Sequence, residues 1–281
     1  TIGEEDGTGG SFYRMTIDED PAPSSWGNEY KLLDVDRPFV GLPTVSIDFQ
    51  SNTWINVATG RLFTNDDKAS TTEQTLYGFI DPDVSGSAAD HTLFIDTTDA
   101  TTFVNGDVDL DGMSGVDGSF AGITDSVATA GGWLFNFAAD GTEPAERSTT
   151  DTTLFRSVVF STANTPSPEL CGAEGTNKTI ARAFDSGLVP PGGVFGTVCT
   201  GGCGDGETPT IEAIGDTDSR KGQGSSVVIH IGTDNDSYAS TGSDNISTIT
   251  NDTTGGTNVD DDNVPAGQAN GEIYWQEFPG P

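Results

Sequence analysis

Basic residues are scarce in this 281-residue chain. It has 11 Lys and Arg against 44 Asp and Glu, which gives a formal net charge of −33 at pH 7. Such a surface repels the phosphates of nucleic acids and the headgroups of anionic membranes, so we expect no nucleic-acid partner. The acidity is spread along the chain and not held in one tail. Two explanations remain open: solvation in salty water, or a fold that uses cations.

Long apolar runs and persistent helical periodicity are also lacking. No run approaches the roughly 18 residues of a membrane-spanning helix, so we expect no membrane span. The apolar residues come instead in short runs that Gly, Asp, Ser or Thr bound on each side. These runs are residues 92–95, 133–137, 154–160 and 227–231. With 37 Gly and 14 Pro to make turns, they predict an all-β chain, either a sandwich or a propeller.

Signatures of catalysis and of haem or zinc binding are few. His91 and His230 are isolated, and there is no G-x-S-x-G elbow and no C-x-x-C-H haem motif. We therefore predict that the chain is not an enzyme. A secreted polysaccharide-active enzyme is a further hypothesis, but it rests only on the abundance of carboxylates and aromatic residues.

One acidic loop has the pattern of a metal site. Alternating Asp residues precede a glycine at 112, which permits a sharp turn, and a methionine that offers its carbonyl. The first seven positions follow the EF-hand pattern, but Gly118 stands where that motif has its glutamate. The loop predicts Ca²⁺ as cofactor, and a solvated Asp-Gly turn is the alternative. The candidate ligands are Asp107, Asp109, Asp111, Met113 and Asp117.

Three cysteines are present, so at least one has no partner within the chain. An exported protein is expected to form one disulfide. Two kinds of pairing are open: Cys199–Cys203 would close a short loop, and Cys171 paired with Cys199 or Cys203 would join two more distant segments.

Residues 40–81 carry a recognisable block of motifs. Two strand-like runs flank Ser51-Asn52, and the second leads into Thr59-Gly60-Arg61, an acidic loop and a strand with Tyr77-Gly78. This block resembles the C-terminal β-propeller of PilY-type proteins, which sit at the tips of type IV pili. Five further units keep the family's order and spacing. They begin at Gly10, Pro23, Gly132, Phe160 and Ile273, and the unit that begins at Gly132 extends to Glu146-Arg147.

The resemblance implies part of a β-propeller, about half of its blades, with irregular acidic loops rich in Gly, Asp and Thr. Residues 1–231 would hold the blades, 232–272 an acidic low-complexity insertion, and 273–281 the closing strand. PilY-type propellers also carry a calcium loop of D-x-D-x-[DN]-x-x-x-D form. This chain departs from it, because Gly115 occupies the ninth position and Asp117 comes two residues later.

The implied function is that of an extracellular component of a type IV pilus or related appendage. It would act in adhesion and in control of assembly and retraction, with calcium dependence and an unknown surface ligand. Expected partners are pilins or minor pilins and the first half of the propeller, supplied as a cleaved or separate chain or by other copies. The alternative is a structural subunit of a filament or sheath that assembles through exposed β-edges.

Overall fold

The computed structural model describes most of the chain as short β-strands. The described residues are 2–3, 9–15, 27, 29–82, 87–112, 116–167, 175–203, 208–231, 237–240, 246–251 and 257–258. The strands are β1 (Ile2–Gly3), β2 (Gly10–Met15), β3 (Glu29–Val35), β4 (Thr44–Ile47), β5 (Thr53–Ala58), β6 (Thr75–Ile80), β7 (Ile95–Asp96), β8 (Thr101–Thr102), β9 (Asp107–Asp109), β10 (Gly118–Ser119), β11 (Gly132–Asn136), β12 (Thr153–Phe155), β13 (Val158–Thr165), β14 (Thr176–Ala183), β15 (Thr197–Gly201), β16 (Thr210–Ala213), β17 (Arg220–Lys221), β18 (Val228–Ile231), β19 (Ser237–Ser240), β20 (Ile246–Asn251) and β21 (Thr257–Asn258). Helices α1 (Asn65–Ala69) and α2 (Phe120–Ala130) and a 3-10 turn (His91–Leu93) complete the elements.

The strands form several small sheets that follow the chain order. The larger ones are β1-β2-β3, β4-β5-β6-β11-β7, β12-β13-β14-β17 and β18-β19-β20-β21. All their pairs are antiparallel except β11 with β7. Two smaller units, the sheet β10-β9-β8 and the hairpin β15-β16, are attached to this series. The prediction of an all-β chain is confirmed.

A glycine on one strand and a tryptophan on its neighbour set the register of the central sheet. Trp133 on β11 pairs with Gly78 on β6, and its indole is fully buried. A Cβ at Gly78 would lie 2.2 Å from the Trp133 ring, and one at Gly187 would lie 2.5 Å from it. Only glycine leaves room for the ring, because packed interiors have no spare volume. The Tyr77-Gly78 and Gly132-Trp133 motifs are therefore two halves of one contact.

A buried core lies on both faces of the central sheet. One cluster joins this sheet to α2 and to the β12–β14 sheet, with Trp54, Leu76, Val127, Phe137 and Ile180 among its members. A second cluster joins it to β3, through residues such as Leu33, Val57 and Phe79. Alternate residues of β5 and β6 thus serve two different neighbours, which explains why both strands are apolar almost throughout.

Helix α2 contradicts our expectation that the chain lacks helical periodicity. Ser119 caps its first turn by accepting a hydrogen bond from the Gly122 amide, and Gly131 ends it in the left-handed conformation, with φ of 83°. Its buried residues are Ile123 and Val127. This i, i+4 pair is too short a pattern to stand out, since Gly, Ser, Thr and Asp occupy most other positions.

Two of the apolar runs also differ from single strands. Residues 154–160 contain a tight hairpin, because Arg156 and Ser157 both have positive φ, at 49° and 69°. That is the pattern of a two-residue turn between β12 and β13. Residues 92–95 hold the end of the 3-10 turn and the start of β7. Asp90 starts that turn by accepting a hydrogen bond from the Thr92 amide.

The predicted domain division falls partly outside the described residues. The described parts of the predicted insertion at 232–272 are β19, β20 and β21, which continue the sheet that begins with β18. The predicted closing strand at 273–281 lies outside the described residues, as does the unit at Pro23. The proposed boundaries stay a prediction.

Candidate functional site

The acidic loop folds back between β9 and β10. Val108 pairs with Gly118 across the two strands, and the Asp117 amide donates to the Val108 carbonyl at 2.8 Å. Gly112 has a φ of 65°, which the sharp turn requires. The sequence thus brings the start and the end of the loop side by side.

Three of the predicted ligands come together in this loop. One carboxylate oxygen from each of Asp109, Asp111 and Asp117 lies within 4.8 Å of the others. Asp109 is buried, and its Oδ1 accepts hydrogen bonds from the amides of Asp111 at 3.2 Å and Gly112 at 2.9 Å. Asp111 and Asp117 are exposed. The Asp117 carboxylate accepts from the Leu110 amide at 2.7 Å, so each end of the loop binds the other.

Asp107 stands apart from this group. It lies two residues before Asp109 on the same extended strand, so the two residues are about 7 Å apart along the chain. Its carboxylate accepts a hydrogen bond from the Asn105 side-chain amide at 2.8 Å. Met113, the other predicted ligand, lies outside the described residues.

The chemistry of the grouped side chains fits a hard cation. Ca²⁺ takes 6–8 oxygen ligands from carboxylates, backbone carbonyls and water. Three carboxylates supply at most six oxygens, of which some already accept backbone hydrogen bonds. A cation there would share its coordination with carbonyls or water. It would also offset the mutual repulsion of three negative charges held within a few ångströms.

A second polar loop, residues 61–70, is built around a buried aspartate of a different kind. Asp67 accepts hydrogen bonds from the amides of Phe63 and Thr64, each at 2.9 Å. Thr64 in turn caps α1 by accepting from the Asp67 amide. The Arg61 guanidinium completes the set at 2.7 Å. Burial favours a raised pKa for Asp67, but the hydrogen bonds from Arg61 and the backbone outweigh it and lower the pKa to about 2.

A buried arginine from a distant part of the sequence braces the same loop. The Arg147 guanidinium donates to the carbonyls of Asp67 and Ser70, the latter at 2.7 Å. It also donates to the Arg61 and Ala145 carbonyls. Burial lowers the pKa of Arg147, and the charge of Asp67 acts in the opposite direction. The Thr59-Gly60-Arg61 and Glu146-Arg147 motifs thus meet at one buried ionic centre.

The residues of this ionic centre were not among the predicted site residues. Arg61 and Arg147 were predicted only as members of motifs, and Asp67 was not predicted at all. Asp67 had a local signal, because Thr64 and Asp67 have the spacing of a helix capping box. The contact with Arg147 spans 80 positions and had no local signal.

The structure forms one of the open disulfide pairings. Cys199 and Cys203 are bonded, with their Cα atoms 6.0 Å apart, next to the hairpin β15-β16. Cys171 lies outside the described residues. Of the two histidines, His91 lies in the 3-10 turn, with its ring edge-on to Tyr77 at 6.3 Å.

Comparison with known proteins places this geometry in a known fold. No family model matches the sequence, and no curated protein matches it. A solved structure does: the C-terminal domain of PilY1 from Pseudomonas aeruginosa, with a TM-score of 0.52 over 80% of this chain. This chain has a PilY1 C-terminal-like fold.

The likeness to the PilY1 structure is limited both in sequence identity and in the share of that structure that is covered. The identity is 17%, and the chain spans 49% of the PilY1 structure. The predicted resemblance and the predicted partial, all-β, propeller-like architecture are confirmed at the level of fold. Among the described residues, the structure contains no helix that is both long and apolar enough to cross a membrane.

Proposed function

We propose that this chain acts in a type IV pilus or related surface appendage, as a PilY-like component outside the cell. Its roles would be adhesion and the control of pilus assembly and retraction. The observation that carries the proposal is the PilY1-like fold over 80% of the chain. The ordered motifs support it further, because Gly78, Trp133, Arg61 and Arg147 now have defined structural roles.

Two properties of the chain support export. The Cys199–Cys203 disulfide suits an oxidising compartment. The net charge of −33 keeps copies apart and solvated, which suits a protein exposed to salty surroundings. Neither property depends on the likeness to PilY1.

Calcium would act on the loop between β9 and β10. Asp109, Asp111 and Asp117 would hold the ion, which would supply positive charge where three carboxylates converge. The same loop borders a groove of about 500 Å³ that Val116, Val104 and Ile211 line. The Val104 amide donates to the Ile211 carbonyl at 2.9 Å, so the groove joins the loop to the hairpin β15-β16. Ordering of the loop would therefore set the position of Val116 against that hairpin.

Partners would complete the appendage. The half of the PilY1 structure that this chain does not span would be matched by a separate or cleaved N-terminal chain, or by other copies of this one. Pilins or minor pilins would form the contact with the filament body. Adhesion would use a surface ligand of unknown identity.

Gentle shearing of surface appendages, followed by intact-mass measurement of the released proteins, tests the proposal. We expect this chain among the sheared proteins, together with pilins and an N-terminal propeller partner. The amount of a cytoplasmic protein in the same sheared fraction controls for cell lysis. Recovery of the chain only with that cytoplasmic control would overturn the proposal.

A second candidate function, a structural subunit of an extracellular filament, is favoured by the edge of the central sheet. In the part of the chain that the structure describes, β4 pairs with β5 alone. Val45 and Ile47 are 61% and 70% exposed and project from the same face of β4. An exposed edge with an apolar face is a template for strand addition by a second copy.

Light scattering and electron microscopy of the purified chain separate the two functions. A filament subunit polymerises, and added salt strengthens assembly because it screens the repulsion between copies of charge −33. Ile47→Lys would then abolish the polymer, while Leu93→Lys, at another exposed apolar position, would leave it intact. A discrete particle at every salt concentration excludes self-assembly.

A further inference from the structure

A cavity of about 410 Å³ lies between the 61–70 loop and the end of strand β13. Residues 62–65 and 68 line one side, and residues 164–167, 175–176 and 222–223 line the other. This volume falls within the range of small-molecule sites in proteins. The candidate metal loop, residues 107–117, contributes no residue to the lining.

The two walls of the cavity are fixed to each other through Arg147. Its side chain donates to carbonyls of the 61–70 loop. Its backbone exchanges two hydrogen bonds with the backbone of Asn164, at 3.0 and 2.8 Å. The far wall is tied as well, since the Asn177 side chain donates to the Gly222 carbonyl at 2.9 Å. Such bracing preorganises a site, which reduces the entropy that binding costs.

Asn164 leaves one buried donor without a partner. The side chain is 3% exposed, and its Oδ1 accepts a hydrogen bond from the Gly224 amide at 2.7 Å. That bond fixes the orientation of the amide, so the nitrogen is the atom left over. Nδ2 exposes less than 1 Å² and has no hydrogen-bond partner. Native proteins rarely leave a buried donor unpaired, and a ligand is one physical reason for the exception.

The remaining lining combines an aromatic surface with polar groups, of which Lys68 carries a charge. Phe63 is 74% exposed, an unusual position for a large aromatic side chain. The other polar side chains are hydroxyls and amides, which include those of Thr64, Thr176 and Gln223. A sugar ring matches this arrangement, because it has one apolar C–H face and a rim of hydroxyl groups. An anionic ligand fits less well, because Lys68 already has an interaction partner within the chain and the whole chain carries a charge of −33.

We propose that this cavity binds a neutral acetamido sugar, with the ring on Phe63 and the acetamido carbonyl accepting from Asn164 Nδ2. A carbonyl is a suitable neutral partner for a group that can only donate. Because Nδ2 is shielded, binding includes a small shift of the lining. The proposal goes beyond the role in pili, and sugar binding by the isolated chain would stand whether or not the chain is found on an appendage.

Ligand-observed NMR and calorimetric titration of the full chain test the proposal with two probes and with two comparison ligands, methyl glucuronide and a blocked tripeptide. Methyl N-acetyl-β-glucosaminide is expected to bind with Kd of about 1 mM, and methyl β-glucoside about tenfold more weakly. Phe63→Ala is expected to weaken the first probe about tenfold. Phe49→Ala, at a fully exposed phenylalanine that does not line the cavity, is the matched control and leaves binding unchanged.

The Asn164→Asp variant tests the contribution of the Nδ2 donor by itself. The aspartate can still accept from the Gly224 amide but has no side-chain N–H, so the two probes are expected to bind equally weakly. If this variant does not fold, the comparison of Phe63→Ala with Phe49→Ala still tests the proposal. Absence of binding at about 50 mM of either probe overturns the proposal. So does equal loss in both phenylalanine variants, or preference for methyl glucuronide or a blocked tripeptide.

Discussion

Two polar loops of this protein each surround a buried aspartate, but the neighbouring side chains have opposite charges in the two loops. Asp67 in the 61–70 loop meets a guanidinium and lies beside a second one, and both arginines come from the chain itself. Asp109 in the 107–117 loop meets backbone amides and two further carboxylates. Both aspartates are 5% exposed. In the first loop, protein groups alone therefore balance the charge of the aspartate. The second loop concentrates negative charge that an ion from solution can offset.

The largest effect is expected from removal of Arg147. Arg147→Met keeps much of the side-chain volume but leaves the carbonyls of Asp67 and Ser70 without their donor, and Asp67 loses a nearby positive charge. We expect a loss of about 3–5 kcal/mol in the free energy of unfolding. Urea denaturation measures it. Arg156→Met, at an exposed arginine, should change it by less than about 0.5 kcal/mol.

A smaller effect is expected from calcium on the other loop. For a site with Kd of about 0.1–1 mM, about 10 mM Ca²⁺ adds roughly 1.5–3 kcal/mol. The melting temperature should then rise by roughly 3–10 °C over that in chelator. Asp109→Asn should remove this rise. Asp107→Asn should retain it, because Asp107 lies outside the group. The same rise in both variants, or with Na⁺ at equal ionic strength, would show that the loop is not the site.

Acid should weaken the 61–70 loop at a defined pH. The folded pKa of Asp67, about 2, lies below its ordinary value of 3.8. Its stabilising contribution is therefore fully present above about pH 4 and is lost as the pH falls toward 2. We expect the stability difference between the natural chain and Asp67→Asn to shrink by about 2 kcal/mol over that range.

Urea denaturation at several pH values between about 5 and 2.5 checks this dependence. Asp66→Asn changes an exposed carboxylate of the same helix and serves as the control. Its difference from the natural chain should stay nearly constant with pH. A constant difference for Asp67→Asn as well would show that the hydrogen bonds from Arg61 and the backbone do not hold this carboxylate ionised.

The smallest effect should have opposite signs with and without calcium. Asp117→Asn can still accept from the Leu110 amide but removes one of three neighbouring charges. In chelator at low salt, we expect it to raise the free energy of unfolding by about 0.5 kcal/mol. With calcium present it should reduce the stabilisation. Destabilisation in chelator would mean that charge repulsion in this loop is negligible.

Strands were the most predictable part of this molecule. β4, β5, β6 and β11 combine β-branched and aromatic residues with clear turn residues, so their positions could be inferred locally. Helix α2 could not, because only Ile123 and Val127 mark its buried face. Its signals are at its ends, in the Ser119 cap and the left-handed Gly131.

The sequence predicted which loop holds the candidate metal site, but not which of its aspartates come together. Spacing identified the acidic loop, yet the structure continues β9 through Asp109 and so separates Asp107 from the group. A motif that assumes a compact loop misses this extension. The ionic centre at Arg147 shows a stronger limit, because its partners come from positions about 80 residues away and only the fold brings them together.

The contact between Gly78 and Trp133 has a consequence for the order of folding. β6 and β11 are neighbours in the sheet, but residues 81–131, with the acidic loop and α2, lie between them in sequence. Closing so long a segment costs chain entropy before the pairing of β6 with β11 stabilises the sheet. This cost slows folding. Trp133 is fully buried in the folded chain, and we expect it to become so only when that closure is complete. Burial of Trp133, one of four tryptophans in the chain, therefore marks the step that joins the two halves of the central sheet.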